Sequence, residues 1–229
     1  MTIDTRHLAG PAVGSGLGMA AYLLLRPYGD AGGSTTAEAA AAFASVWWVV
    51  AHLCGVLALA SFARLALRLA DLVPGVAARI SRWASLVGLV LVLPYYGAET
   101  FALHVLGRVA VAGDEATLGL VDPVRDQPAA MAVFAVGLLL LALGGLSFGL
   151  AWQRHTPSGP AWLGWPVGVL VALVLPQFFL PPVGRMTFGV LYALAALSLA
   201  VAAWLGRRRR DAGGSAAAAG SRAAAPVAG

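Results

Sequence analysis

The sequence predicts an all-α fold: a polytopic transmembrane helical bundle of six spans with both termini in the cytoplasm. Three observations lead there. Of the 229 residues 60% are hydrophobic and only 11% charged, far from the balance of a soluble domain. The apolar residues gather into six runs, each near the ~20 residues that a helix needs to cross a hydrocarbon core of about 30 Å. The arginines between those runs fall unequally on alternate sides.

In chain order the spans are expected near residues 8–25, 41–63, 83–106, 129–152, 162–180 and 186–206. The first has a basic start, but LAGPAVGSGLGMAAYLLLRP lacks a compact leucine-rich core ahead of a small-residue cleavage site, so it reads as a span and not as a cleaved signal. Its Gly10, Gly14 and Gly18 form a flat stripe at four-residue spacing that would let another helix approach closely. The second run is prolonged to the surface by Arg64 and Arg68, one turn apart, until Val73-Pro74-Gly75 breaks it. The third carries LPYYGAETFALHVLGR, in which Glu99 is the one acid. The segment LVLVLPYY of the third run echoes LVALVLPQFF of the fifth, and Gly107-Arg108 and Gly184-Arg185 follow on the outer side. A duplicated hairpin or a shared composition would explain this. In both, a proline (Pro94, Pro176) removes a helix hydrogen bond and permits a kink. The sixth run ends in GRRRR, which suits a stop-transfer anchor on anionic lipid at ~1 kcal/mol per arginine. Residues 211–229 are low in complexity and bulk, and are expected to form a disordered cytoplasmic tail. Trp83, Trp152, Trp162 and Trp204, near the expected cytoplasmic ends, read as interfacial anchors.

Orientation follows from the arginines. One side holds Arg6, Arg64, Arg68, Arg79, Arg82, Arg154, Arg207 to Arg210 and Arg222; the other holds only Arg26, Arg108, Arg125 and Arg185, among Asp30, Glu38, Asp114, Glu115, Asp122 and Asp126. The excess places the first side in the cytoplasm. The acids of the outer loop GDEATLGLVDPVRDQP do not match a calcium loop and read as solvated surface.

Composition also excludes several functions. The net charge of +5 comes from arginines that flank apolar spans without forming a patch with interleaved aromatics, so no nucleic-acid partner is expected. Cys54 is the only cysteine, which rules out an intrachain disulfide and a Cys-based metal motif. No cofactor and no metal is expected. His52 and His104 would differ in depth by ~13 Å, too far for one haem, and no paired histidines at helical spacing, Walker loop or serine-nucleophile signature occurs.

Glu99 is the residue that most needs an explanation. Its expected depth is ~10 Å below the outer end of the third span, against ~16 Å for His52 in the second, so the two are expected to meet across a hairpin. Tyr95 lies one turn below Glu99 and Tyr96 is close by. A carboxylate at that depth must be protonated, paired or facing water. The candidate ligand-binding set is Glu99, His52, Tyr95 and Gln177, lining an outward-facing polar pocket, with Arg26, Arg108 and Arg185 at its mouth. His104 is expected to be an interfacial, solvated side chain. No catalytic residue is identified.

Three functions remain open at this point: binding or proton-coupled transport of a small-molecule or lipid ligand; a structural or accessory subunit in which Glu99 and His52 are a helix-packing pair; and a membrane enzyme using acid–base chemistry on a lipid or isoprenoid. The segments WWVVAHLCGVLALA, GAETFAL and PPVGRMTFGVLYALAALSLAVAAWLG resemble uncharacterised multi-pass membrane proteins of actinobacteria. That resemblance covers most of residues 8–206 and implies six helices in the bacterial cytoplasmic (inner) membrane, with the lipid bilayer as partner. It implies no activity.

Overall fold

The fold is given by a computed structural model that describes residues 5–155 and 160–223, with side chains described as far as Leu205 except that of His155. It is all-helical, with no strand among the described residues. In order, the helices are α1 (Arg6–Leu25), α2 (Ala37–Ala44), α3 (Val46–Leu72), α4 (Val76–Gly97), a π-helical turn (Ala98–Ala102), α5 (Leu103–Val111), α6 (Val121–Arg125), α7 (Pro128–His155), α8 (Gly164–Ala172), α9 (Val174–Gln177) and α10 (Pro182–Ala223). Five stretches are long and apolar enough to cross a membrane: Arg6–Leu25, Val46–Leu72, Val76–Val111, Pro128–Arg154 and Pro182–Leu205. A sixth apolar stretch, Ala161–Ala172, is shorter.

These segments close into a ring in chain order. α1 packs on α3, α3 on α4, α4 on α7, α7 on α8, α8 on α10, and α10 returns to α1. Small residues set the close approaches, as van der Waals packing between helices in lipid favours. Gly14 faces Ser61, and Gly18 lies against Cys54 and Ala58 of α3, while Gly10 has no neighbour within 4 Å. The glycine outside that stripe, Gly16, seats α10 at Ala193 and Ala196. Between α7 and α8, Gly145 and Gly168 lie backbone to backbone.

The breaks between helices have local causes. Ser45, extended at φ −66° and ψ 137°, separates α2 from α3, and its hydroxyl accepts from the Trp47 N–H at 3.2 Å. The apolar run from residue 41 is therefore two helices, and α3 continues to Leu72. The turn into α4 uses Gly75 at φ 118°, where a side chain would be strained. In the fifth apolar run, Pro176 cannot donate to the carbonyl of Ala172, and α8 stops at that residue.

One end of the ring, where α1 finishes and α3 begins, carries a small cap. Here α2, α5, a 3-10 turn at Glu115–Leu120 and α6 enclose a second core of Ala39, Phe43, Trp48, Leu103, Leu118 and Val121. Thr36 caps α2 by accepting from the Ala39 N–H at 3.1 Å. His104 is half-buried and donates from Nδ1 to the Phe43 carbonyl at 2.8 Å, so it ties α5 to α2 instead of facing solvent. At the opposite end Trp83, Trp162 and Trp204 are exposed, but Trp152 is fully buried against Phe148 and Gly164, a core residue and not an anchor. The expected tail, residues 211–229, falls where side chains are not described, and 224–229 lie outside the described residues.

Candidate functional site

Beneath the cap lies a cavity of about 320 Å³. One wall is charged, with Arg26 from the end of α1, Asp30 from the 3-10 turn Gly29–Gly32 after it, Glu99 from the π-turn, Arg125 and Asp126 from α6 and its exit, and Arg185 from α10. The other walls are aromatic and apolar: Tyr22, His52, Tyr95 and Tyr96 toward the ring, then Met131, Phe134, Ala135, Leu175, Phe178 and Phe179 from α7 and the segment after Leu173. Both proline-bearing segments reach it, since Tyr95 and Tyr96 follow Pro94, about which α4 stays unbroken, and Phe178 and Phe179 follow Pro176.

The position of Glu99 comes from the backbone. A π-helical turn inserts an extra residue and displaces the carbonyls from their regular partners. Here the freed Glu99 carbonyl accepts from the Trp48 indole N–H at 2.7 Å, and the Thr100 hydroxyl donates to the Tyr96 carbonyl at 2.6 Å. Its side chain is held toward α6. Arg125 donates to both carboxylate oxygens, from Nε at 2.8 Å and from an Nη at 3.2 Å, the two-pronged geometry that suits guanidinium and carboxylate. The same Arg125 reaches Asp30 at 3.0 Å, and Asp30 also pairs with Arg26 at 2.8 Å. Tyr95 adds a long hydrogen bond to Glu99, 3.4 Å. The four charged side chains are only 7 to 19% exposed, so this is an internal chain of ion pairs and not a surface one. Aromatic faces cover its cations: Arg26 lies 4.7 Å from the Trp48 ring centre and Arg125 5.2 Å from that of Phe43.

The expected meeting of Glu99 with His52 is replaced by this pairing with Arg125, and no hydrogen bond joins the two. His52 donates from Nδ1 to the Trp48 carbonyl at 2.7 Å; a carbonyl only accepts, so the proton is on Nδ1. Its ring sits between Trp48 at 4.4 Å and Tyr22 at 5.4 Å. Of the seven residues singled out in the sequence, Glu99, His52, Tyr95, Arg26 and Arg185 line the cavity. Gln177 is buried outside the lining, with its Oε1 unpartnered, and Arg108 is exposed on α5, away from the cavity lining. Sequence reasoning missed Tyr22, Asp30, Arg125, Asp126, Phe134 and Phe178. The signal for Arg125 was its place as the one cation in an acidic loop.

Burial pushes the Asp30 carboxyl up, but the guanidinium groups of Arg26 and Arg125 outweigh it and hold the group below the usual carboxylate range. Burial likewise works against the charge on Arg125, and Glu99 and Asp30 more than restore it, raising its pKa. Tyr28, which donates to the Leu23 carbonyl at 2.7 Å, is pushed up to about 12 by burial. The Asp30 shift has a pH consequence. A folded pKa below the unfolded one contributes stability that is complete above the unfolded value of about 4 and is lost as pH falls through the lower, folded value. Thermal unfolding between pH 6 and pH 3 is therefore expected to show an acid-side loss that Asp30→Asn makes shallower. An equally steep loss in Asp30→Asn would remove Asp30 as its source.

Among the described residues no group of three or more His, Cys, Asp or Glu side chains converges as a metal site would require. Compared with protein-family models, curated proteins and solved structures, the chain finds no match. What stands is a helical bundle with several membrane-length apolar helices, and the site must be read from its own chemistry.

Proposed function

We propose that this is a multi-pass protein of a bacterial cytoplasmic membrane that binds, and in transport would carry, a small ligand in a pocket facing outward. The supporting observation is the cavity itself. Its volume of about 320 Å³ and its aromatic walls facing a charged one suit a small-molecule site, and it is flanked by the π-turn after Pro94 and the helix break at Pro176, irregular backbone of the kind that lines binding sites in transporters. In this reading segment 161–180 is a sixth crossing, because it begins against Trp152 near the end of α7 and ends with Phe178 5.9 Å from Phe134 near the start of α7. Both termini are then cytoplasmic, and Glu99, His52, Tyr95, Arg26 and Arg185 belong to the binding set. Reporter fusions after Arg210 and within residues 113–127 test the orientation; a signal from the same compartment at both positions would refute it.

A second reading has its own support. Glu99 is satisfied internally by Arg125, as a purely structural fastening between the π-turn and the cap would be. Ala135→Trp separates the two, since it fills the cavity and leaves every ion pair in place. In a thermal-shift screen of small molecules, the binding reading expects at least one compound to raise the Tm of the wild type and not of Ala135→Trp. Equal shifts in both proteins for every active compound would leave the structural reading.

A further inference from the structure

Arg185 stands apart from the other cations of the cavity. Arg26 and Arg125 each meet a carboxylate at 3.0 Å or less. Arg185 instead donates from Nε to the Leu180 carbonyl at 3.0 Å and from an Nη to the Phe178 carbonyl, and among the described residues no carboxylate lies within ion-pair distance of it. Carbonyls occupy part of a five-donor guanidinium and leave its full charge without a counter-charge.

The carboxylates of the cavity do not offer the reverse opportunity. Glu99 is spent on Arg125 and Tyr95. Asp30 keeps one unpartnered oxygen, Oδ1, but two guanidinium groups already meet its charge. Asp126 is exposed at the rim, where solvent screens it. Apart from Tyr22, His52, Tyr95 and Tyr96 the remaining lining is apolar, and at its edge Met131 and Phe179, 40% and 84% exposed, carry the apolar surface out between α7 and the turn after α9.

We propose, building on the pocket reading above, that the cavity takes an amphipathic organic anion, with its acidic group held by Arg185 and its apolar body laid against Phe134 and Phe178. The acid is a carboxylate or phosphate, and a soluble acid or an anionic lipid would supply the same chemistry.

Decanoate and decyltrimethylammonium test this, because they share a chain length and differ in the sign of the head. Binding is measured on the full-length protein in phosphatidylcholine nanodiscs, above the uptake by empty nanodiscs. Decanoate is expected to bind saturably, and decyltrimethylammonium about tenfold more weakly or worse. Arg185→Gln is expected to weaken decanoate about tenfold or more, the effect of losing a charged hydrogen bond. Arg185→Lys, which keeps the charge, loses less. Because Arg185 also holds two carbonyls, Arg185→Gln is read beside Arg185→Lys: decanoate affinity that follows the charge supports the assignment, and an equal loss in both variants contradicts it. Equal or tighter binding of decyltrimethylammonium, abolished by Ala135→Trp, would overturn the anion assignment and keep the pocket. Decanoate binding that is absent, or unchanged in Ala135→Trp, would overturn both. Replacing part of the phosphatidylcholine with phosphatidylglycerol assigns the source: lost decanoate affinity marks an anionic lipid as occupant, and unchanged affinity a soluble acid.

Discussion

Arg125→Gln is expected to be among the most damaging single substitutions in the protein, at a cost of about 3–5 kcal/mol. The substitution leaves Glu99 without a charged partner and takes one of two from Asp30, in side chains only 14% and 8% exposed. It also unfastens the cap from the ring, because Arg125 on α6 is what the π-turn of the third span holds. Glu99→Gln should cost less. Its amide can still accept one hydrogen bond from Arg125, and Arg125 keeps Asp30. The double variant Glu99→Gln/Arg125→Gln should recover part of the loss, with a coupling of about 1–3 kcal/mol. Unfolding of the four proteins in detergent measures this. An Arg125→Gln protein as stable as the wild type would mean that the ion-pair chain is not formed.

The second large effect concerns helix packing. A Cβ at Gly145 would stand 2.5 Å from the Gly168 carbonyl oxygen and 2.9 Å from Val171 Cβ, closer than real atoms approach. The first obstacle is backbone, which cannot rotate away, so Gly145→Ala must push α8 off α7. Overpacking of this kind costs about 1–3 kcal/mol. Because α8 leads into the Leu175 to Phe179 wall, the same variant should also weaken any ligand of the cavity. Gly10→Ala is the control: nothing lies within 4 Å of that position, and a helical Gly→Ala change there should be neutral or slightly favourable. Similar melting temperatures for the two variants would contradict the close contact of α7 with α8.

The fold class was open to reading because its signal is strong and local. Long apolar runs have few structural solutions, and the all-helical bundle follows from them. Details set by one residue were harder. Ser45 divides the second apolar run, which hydropathy alone treats as continuous, and Pro176 ends α8 where composition would carry it on. The candidate site was half visible. An acid within an apolar run marks itself, so Glu99, with Tyr95 one turn away, could be found from position. Its partner could not, since Arg125 lies in a loop of four acids that looks solvated until α6 folds it back over the ring. His52 was expected beside Glu99 but hydrogen-bonds to the Trp48 carbonyl instead, because depth along a helix says nothing about rotation around it. The π-turn at Ala98–Ala102 changes that rotation by one residue, and no sequence pattern announced it.

The most direct test of the pocket as a binding site is a native mass spectrum of the protein released from mild detergent, recorded beside Ala135→Trp. A defined extra mass on the wild type, absent from the cavity-filled variant and carrying an acidic group on fragmentation, is the expected result. Bare protein in both spectra, or the same mass on both, would contradict the cavity's role and leave the Glu99–Arg125 chain as a fastening of the fold.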